Sequence, residues 1–261
     1  MHSLIDTTID GHVHTRLCNH AQGEMEEYVQ QAVARGLRTI TFLEHLETGI
    51  NYQPRSWLEQ EEFDYYFEEG ARLRQIFNGV IEIRLGVETG YNPEAAEGVR
   101  ARLARYSWDR IGLSCHFHRN GDVHLNLLSR RPESLAKVAD IGVEQVVSSY
   151  FSALTEAVQT IDCDVLCHLD AVLRHFPGLV FTASHHRQIE TLLDAMQHKG
   201  VALEINTSGF DYRGSPFPAP WIIAAARKRA IPLCAGSDAH HPTQVGRHFD
   251  RLPEYLARII G

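Results

Sequence analysis

A chain of 261 residues with 44% hydrophobic and 22% charged residues is long enough for one α/β barrel, and too ordinary in composition for a disordered tail, a collagen-like repeat or a coiled coil. A net charge of -8 sets the long-range field against nucleic acid and anionic membrane. No apolar run approaches the roughly 18 residues that cross a bilayer, and the start lacks a basic segment followed by an apolar one, so a cytoplasmic protein is expected.

Short β-branched runs alternate with helical patterns from end to end. A strand over 8–12 precedes a helix at about 24–35, and a strand over 38–43 precedes a helix at about 59–77. Strands over 82–88 and 110–116 flank a helix at about 93–105, and one long helix is expected at about 132–161. Strands over 164–168, 201–206 and 232–237 alternate with helices at about 183–199 and 220–229. Gly36, Gly79 and Gly200 stand where helices would end, and Pro93, Pro132 and Pro220 where they would begin. Seven strand-helix units predict a parallel sheet, either a seven-stranded barrel in a single domain over 1–261 or an open doubly wound sheet. The segments 48–56 and 210–220 read as loops over one end. No GxGxxG, GxxxxGK[ST] or GxSxG occurs, which removes dinucleotide, P-loop and serine-hydrolase chemistry.

Histidine is the compositional anomaly: there are sixteen, against three lysines, Lys137, Lys199 and Lys228. The C-terminal ends of the strands carry His12 and His14, Glu44 and His45, Glu88, His116, His168, Glu204, and Asp238 with His240. In a βα barrel those positions converge on one face. Residues two apart on an extended segment point the same way, so His12 and His14 can chelate one ion, whereas only one of Glu44 and His45 can enter the site. Imidazole with carboxylate suits zinc, manganese or iron. The five cysteines, odd in number and without paired CxxC motifs, indicate neither a disulfide framework nor a zinc knuckle. Alternation turns Cys115 and Cys167 toward the outer helices. His20 and His118 are open cases, Glu204 is a candidate partner behind the ligands, and the remaining histidines, including His2, His175 and His185, are expected in solvent.

The series Asp10-Gly-His-Val-His14, Phe42-Leu-Glu-His45, Gly86-Val-Glu88, Ser114-Cys-His116, Cys167-His-Leu-Asp170, Glu204-Ile-Asn-Thr-Ser-Gly209 and Gly236-Ser-Asp-Ala-His240 resembles the PHP (polymerase and histidinol phosphatase) superfamily, and within it the monofunctional histidinol-phosphate phosphatases. The resemblance implies a distorted (β/α)7, TIM-like barrel with two or three divalent metals. The first metal would take His12, His14, Glu88 and Asp238. The second would share Glu88 and take His116 and His168, and the third would be held by His20, His45 and His240. Arg174 and Arg213 would bind phosphate.

The implied reaction is hydrolysis of a phosphomonoester, L-histidinol phosphate, by a metal-bridging hydroxide, with Asp238, His240 or a metal-bound water supplying the leaving group's proton. Three divalent ions and two ligand carboxylates leave about +4 of local charge, enough to draw a phosphate dianion to an acidic protein. The expected partner is a small-molecule phosphomonoester, with no nucleic acid and no membrane. Tyr52, Phe210 and Tyr212 are candidate stacking partners for the substrate's ring. The rival readings are a PHP-type phosphoesterase acting on nucleotides or a nucleic-acid 3′ end, and a non-catalytic metal- or phosphate-binding module.

Overall fold

The strands that the sequence pattern predicts form one sheet, in a computed structural model that describes residues 4–260 and leaves His2 outside the described residues. In chain order β1 (Ile9–Val13), β2 (Thr39–Leu46), β3 (Glu82–Gly90) and β4 (Ile111–Ser114) pair parallel. A two-stranded antiparallel hairpin follows, β5 (Phe117–Asn120) and β6 (Val123–Asn126). β7 (Val165–Leu166), β8 (Ala202–Asn206) and β9 (Leu233–Gly236) complete seven parallel strands in the order β1-β2-β3-β4-β7-β8-β9. The helices are α1 (Met25–Ala34), α2 (Gln60–Ile76), α3 (Ala96–Leu103), α4 (Pro132–Ile141), α5 (Val143–Thr160), α6 (Ala183–Lys199), α7 (Gly209–Arg213), α8 (Pro220–Lys228) and α9 (Leu252–Ile260).

Local chemistry starts and stops these helices. Glu24 with Glu27, and Glu59 with Glu62, close capping boxes on α1 and α2, satisfying N–H groups that a first turn leaves open. On α6 the box is Thr182 with His185, and Gly200 ends the helix in the left-handed conformation. His185 is therefore a buried structural residue rather than a solvated one; its Nε2 meets the Glu144 carbonyl and the Ser148 hydroxyl at 3.1 Å each.

The sheet nearly closes. Between β1 and β9 there is no full ladder, only His14 N–H donating to the Ala239 carbonyl at 2.9 Å and Asp238 N–H to the His12 carbonyl at 2.8 Å. The fully buried Asp10 carboxylate bridges the seam, accepting from the N–H of Ser237 at 2.9 Å and of Gly246 at 2.7 Å. This is the distorted, seven-stranded TIM-like barrel rather than the open doubly wound sheet.

The main core lies between strands and helices, while Leu43, Val165 and Cys167 form a small separate cluster with Ala202 and Cys234. Ala202 shares strand parity with Glu204, and Leu43 with His45, so this cluster fills the barrel interior. Cys167 thus faces inward, contrary to the alternation argument. The reason is local: His168 has a φ of 28°, which breaks the alternation and lets two successive residues face the axis.

Three further departures have identifiable causes. The strand expected over 110–116 ends at Ser114 and turns into the β5–β6 hairpin. The helix expected over 132–161 divides at Gly142, whose φ of 104° lies outside helical space. The apolar stripe of 252–260 forms α9, which buries Leu252 and Leu256 and packs on α8.

Candidate metal centre

Parallel strands all point their C-terminal ends at one face, and the register aligns the donors: His45 on β2 stands level with Glu88 on β3. His12 and His14 at the end of β1 bring their Nε2 atoms to 2.8 Å. His14 Nε2 lies 3.5 Å from both Glu88 Oε2 and Asp238 Oδ1, and His12 Nε2 lies 3.6 Å from Glu88 and 3.9 Å from Asp238. Donors held about 2.1 Å from one ion at tetrahedral angles stand roughly 3.4 Å apart, so these separations suit a shared cation. On the other side of Glu88, Oε1 meets His168 Nε2 at 2.7 Å and His116 Nε2 at 3.2 Å.

His20 and His240 form a third group. Their Nδ1 atoms lie 2.9 Å from the Cys18 carbonyl and 3.1 Å from the Asp238 carbonyl, and their Nε2 atoms are 3.0 Å apart. A ring nitrogen bonded to a carbonyl carries the hydrogen, which leaves two Nε2 lone pairs facing each other. A cation is the group that relieves such a pair. His45 lies between the clusters: its Nδ1 is 3.0 Å from Glu88 Oε2, its ring stacks on His14 at 4.1 Å, and His20 is 5.1 Å away. All nine sequence-selected donors thus meet in one cup. Glu88 Oε2 is buried there without a hydrogen-bond partner, as a metal donor would be.

Charge is distributed for cation binding. Burial opposes ionisation of Glu88, but His116, His12, His168 and His45 outweigh it and hold its carboxyl well below the usual range. Asp238 is likewise held low, against burial, by its hydrogen bond to His14 and by His12 and His240. Burial lowers His20, His45 and His240 to about 4, so their lone pairs are free at neutral pH. His116 differs. Burial alone would lower it, but Glu88 and Glu47 prevail and push it up to about 10.

Behind the ligands stands a layer of buried carboxylates. Glu204 meets His12 Nδ1 at 2.6 Å and accepts from the His168 N–H at 2.7 Å and the Asn206 amide at 3.0 Å. Those bonds hold His168 in its left-handed conformation. Glu47 meets His116 Nδ1 at 2.7 Å; sequence reasoning missed it, although it follows His45 by two and so shares its face. Glu44 turns away from the cup to accept from the Thr15 N–H and hydroxyl at 2.8 and 2.6 Å. Burial raises its carboxyl to about 8.

A mouth of about 670 Å³ opens above the cup. Arg174 lines it with Nε and Nη1 buried and unpartnered, its guanidinium 4.5 Å over the Tyr212 ring. Arg130, Arg131 and His175 also line it, the last against expectation. Arg213 does not: its guanidinium grips Asp170 at 3.0 and 3.3 Å and lies 4.1 Å over the Phe217 ring. The buried Asp170 carboxylate thus engages the guanidinium that sequence reasoning gave to phosphate. Arg247, which sequence reasoning also missed, donates from Nε and Nη2 to the carbonyls of Ser237 and Asp238 at 2.9 Å each, fixing the turn that carries Asp238. Tyr52 and Tyr212 line the mouth, but Phe210 packs under Arg251 outside it. His118 lies outside too, lining a separate cavity of about 200 Å³ behind the hairpin.

The family model described as PHP domain matches residues 10–208, and the one described as PHP-associated matches 222–254. The chain is 30% identical over 243 residues to the "Probable histidinol-phosphatase" of Deinococcus radiodurans, covering 92% of this chain and 89% of that protein. It is 26% identical to the histidinol-phosphatase of Bacillus subtilis, over 94% of this chain and 98% of that one. The solved histidinol phosphate phosphatase of Lactococcus lactis, complexed with zinc, L-histidinol and phosphate, superimposes with a TM-score of 0.75 at 20% identity, covering 96% of this chain and 93% of that one.

Proposed function

The chain belongs to the PHP domain family, and from that premise we propose that it is a metal-dependent phosphatase that hydrolyses L-histidinol phosphate to L-histidinol and phosphate, a step of histidine biosynthesis. The observation that carries this reading is the convergence of nine nitrogen and oxygen donors beneath a mouth holding an unpartnered arginine. The two matched segments are read as one domain, supported by the β8–β9 ladder that joins them.

His12, His14, Glu88 and Asp238 would hold one ion, Glu88, His116 and His168 a second, and His20, His240 and His45 a third. Zinc is the metal in the Lactococcus lactis complex, and manganese or iron suits the same donors. Divalent ions bound there supply Lewis acidity toward phosphoryl oxygens and water of lowered pKa. The chain's own residues do the rest. Arg174 offers two free N–H donors to a phosphoryl oxygen, a charge-assisted contact that orients the ester over the cup. Asp238 is held unprotonated at neutral pH and keeps an oxygen, Oδ2, besides the Oδ1 that faces His12 and His14, so it would accept the proton of the attacking water and pass it to the departing alkoxide, while His240, with its Nδ1 hydrogen on the Asp238 carbonyl, would give its one lone pair to an ion. The small-molecule substrate is supported by the mouth's volume of about 670 Å³ and by the net charge, which disfavours a nucleic acid.

Phosphate release from L-histidinol phosphate by metal-replete protein tests the reading, with nucleoside monophosphates and a short oligonucleotide as comparison substrates. Turnover should be fastest on the histidinol ester; tightly bound metal without turnover on any of them rejects the proposal.

A further inference from the structure

Two carboxylates hold ligand histidines from behind, and both sit in slots that glycines clear. A Cβ on Gly236 would lie 2.1 Å from Glu204 Oε1, and a Cβ on Gly90 would lie 2.1 Å from both oxygens of Glu47. Neither glycine has a positive φ, so the backbone does not require it. What each position requires is empty volume, and a carboxylate fills it. Glu204 is also tied to the backbone through the His168 N–H, whereas Glu47 is 3% exposed and directs its carboxylate to His116.

We infer that Glu47, seated against Gly90, is a positioning residue for the ion shared by Glu88, His116 and His168. The inference rests on the metal-dependent reading of the cup. Glu47 accepts the Nδ1 hydrogen of His116, which fixes the tautomer and aims the Nε2 lone pair at the side where Glu88 Oε1 lies 3.2 Å away. Without that bond only the Ser114 hydroxyl, at 3.4 Å, remains beside Nδ1; a hydroxyl donates as readily as it accepts, so the ring can carry its hydrogen on Nε2 and the lone pair is lost to the cup. The remaining ligand groups do not depend on it: His12 is held by Glu204, and His20 and His240 by backbone carbonyls.

Metal-stripped protein titrated with cobalt, followed by visible absorption and by metal content after dialysis, tests this without substrate. Glu47→Leu should weaken one ion by 10- to 100-fold, at the scale known for partners of ligand histidines, and leave the others within threefold. Gly90→Ala should reproduce that loss with the carboxylate present, because the added methyl displaces only the end of a flexible side chain. Glu47→Gln, which keeps an acceptor oxygen, should restore affinity to within threefold of wild type. Wild-type affinities in both Glu47→Leu and Gly90→Ala would overturn the inference, as would equal weakening of every ion together with a lower melting temperature of the metal-free protein. A wild-type protein that takes up cobalt but releases no phosphate rejects the hydrolase reading and leaves this inference standing.

Discussion

Asp238 and Arg174 stand at opposite ends of what one residue can do here. Asp238 has a φ of 50°, a left-handed conformation that costs a non-glycine residue on the order of 1–3 kcal/mol and is held by bonds to the His12 carbonyl and from Arg247. Asp238→Ala removes a donor from the cup, so phosphate release should fall to background while far-ultraviolet circular dichroism is unchanged. Arg174→Ala removes charge-assisted bonds worth about 1.5–3 kcal/mol, so kcat/KM should drop roughly 10- to 100-fold without loss of metal. Arg213→Ala, by contrast, strips a buried carboxylate of its cation and should cost about 3 kcal/mol in denaturant unfolding while leaving the KM for phosphoester near wild type. His116 adds a pH signature. Raised to about 10 without metal, it carries a proton at pH 7–8 that an ion must displace, so binding at its site should release about one proton and tighten as pH rises from 7 toward 10. Calorimetry in buffers of different ionisation enthalpy reads that release directly. The convergence of the nine candidate donors is legible in the sequence because strand ends and two-residue spacing dictate where they point. Glu47, Arg247 and the true partner of Arg213 are not, because each is defined by a residue 69, 9 or 43 positions away that only folding brings near.

At the scale of the element, alternation and helix punctuation place all seven parallel strands, since a buried strand must be apolar and a helix needs its caps. Interruptions are harder. The continuous apolar stripe of 132–161 masks the break at Gly142, where a φ of 104° has little to announce it except the glycine itself. A Cβ there meets open space, its nearest neighbour 4.0 Å away, so Gly142→Ala isolates the backbone cost. About 1–3 kcal/mol of destabilisation is expected, read as a thermal midpoint lowered by several degrees. The β5–β6 hairpin escaped notice because its short strands carry polar residues on both faces. It is fastened instead by the loop over the mouth: Asn51 N–H donates to His124 Nδ1 at 3.0 Å and the Asn51 amide to the Asp122 carbonyl at 2.6 Å.

For the whole molecule, the donors of the cup come from six of the seven parallel strands or from the turns just after them, so cations bound there would tie together elements far apart in the chain. Ions that bind only the folded state add roughly 2.7 kcal/mol each when free metal stands at 100 times Kd. Two such ions should raise the melting temperature by about 10 °C, and a chelator should reverse the rise in calorimetry. A melting temperature indifferent to chelation would mean that the cup is rigid and empty in solution.

The seam between β1 and β9 bears on how the protein is made. Asp10 waits for Ser237 and Gly246, partners 227 and 236 residues downstream, so during translation the first strand is born long before its neighbour exists. His12 and His14 emerge with it, more than 220 residues ahead of Asp238 and His240. A polypeptide released early would carry an uncovered edge and a pair of imidazoles with no counterpart. Ring closure, and the candidate ion sites that draw on Asp238 and His240, thereby wait until β9 and the turn after it have been made.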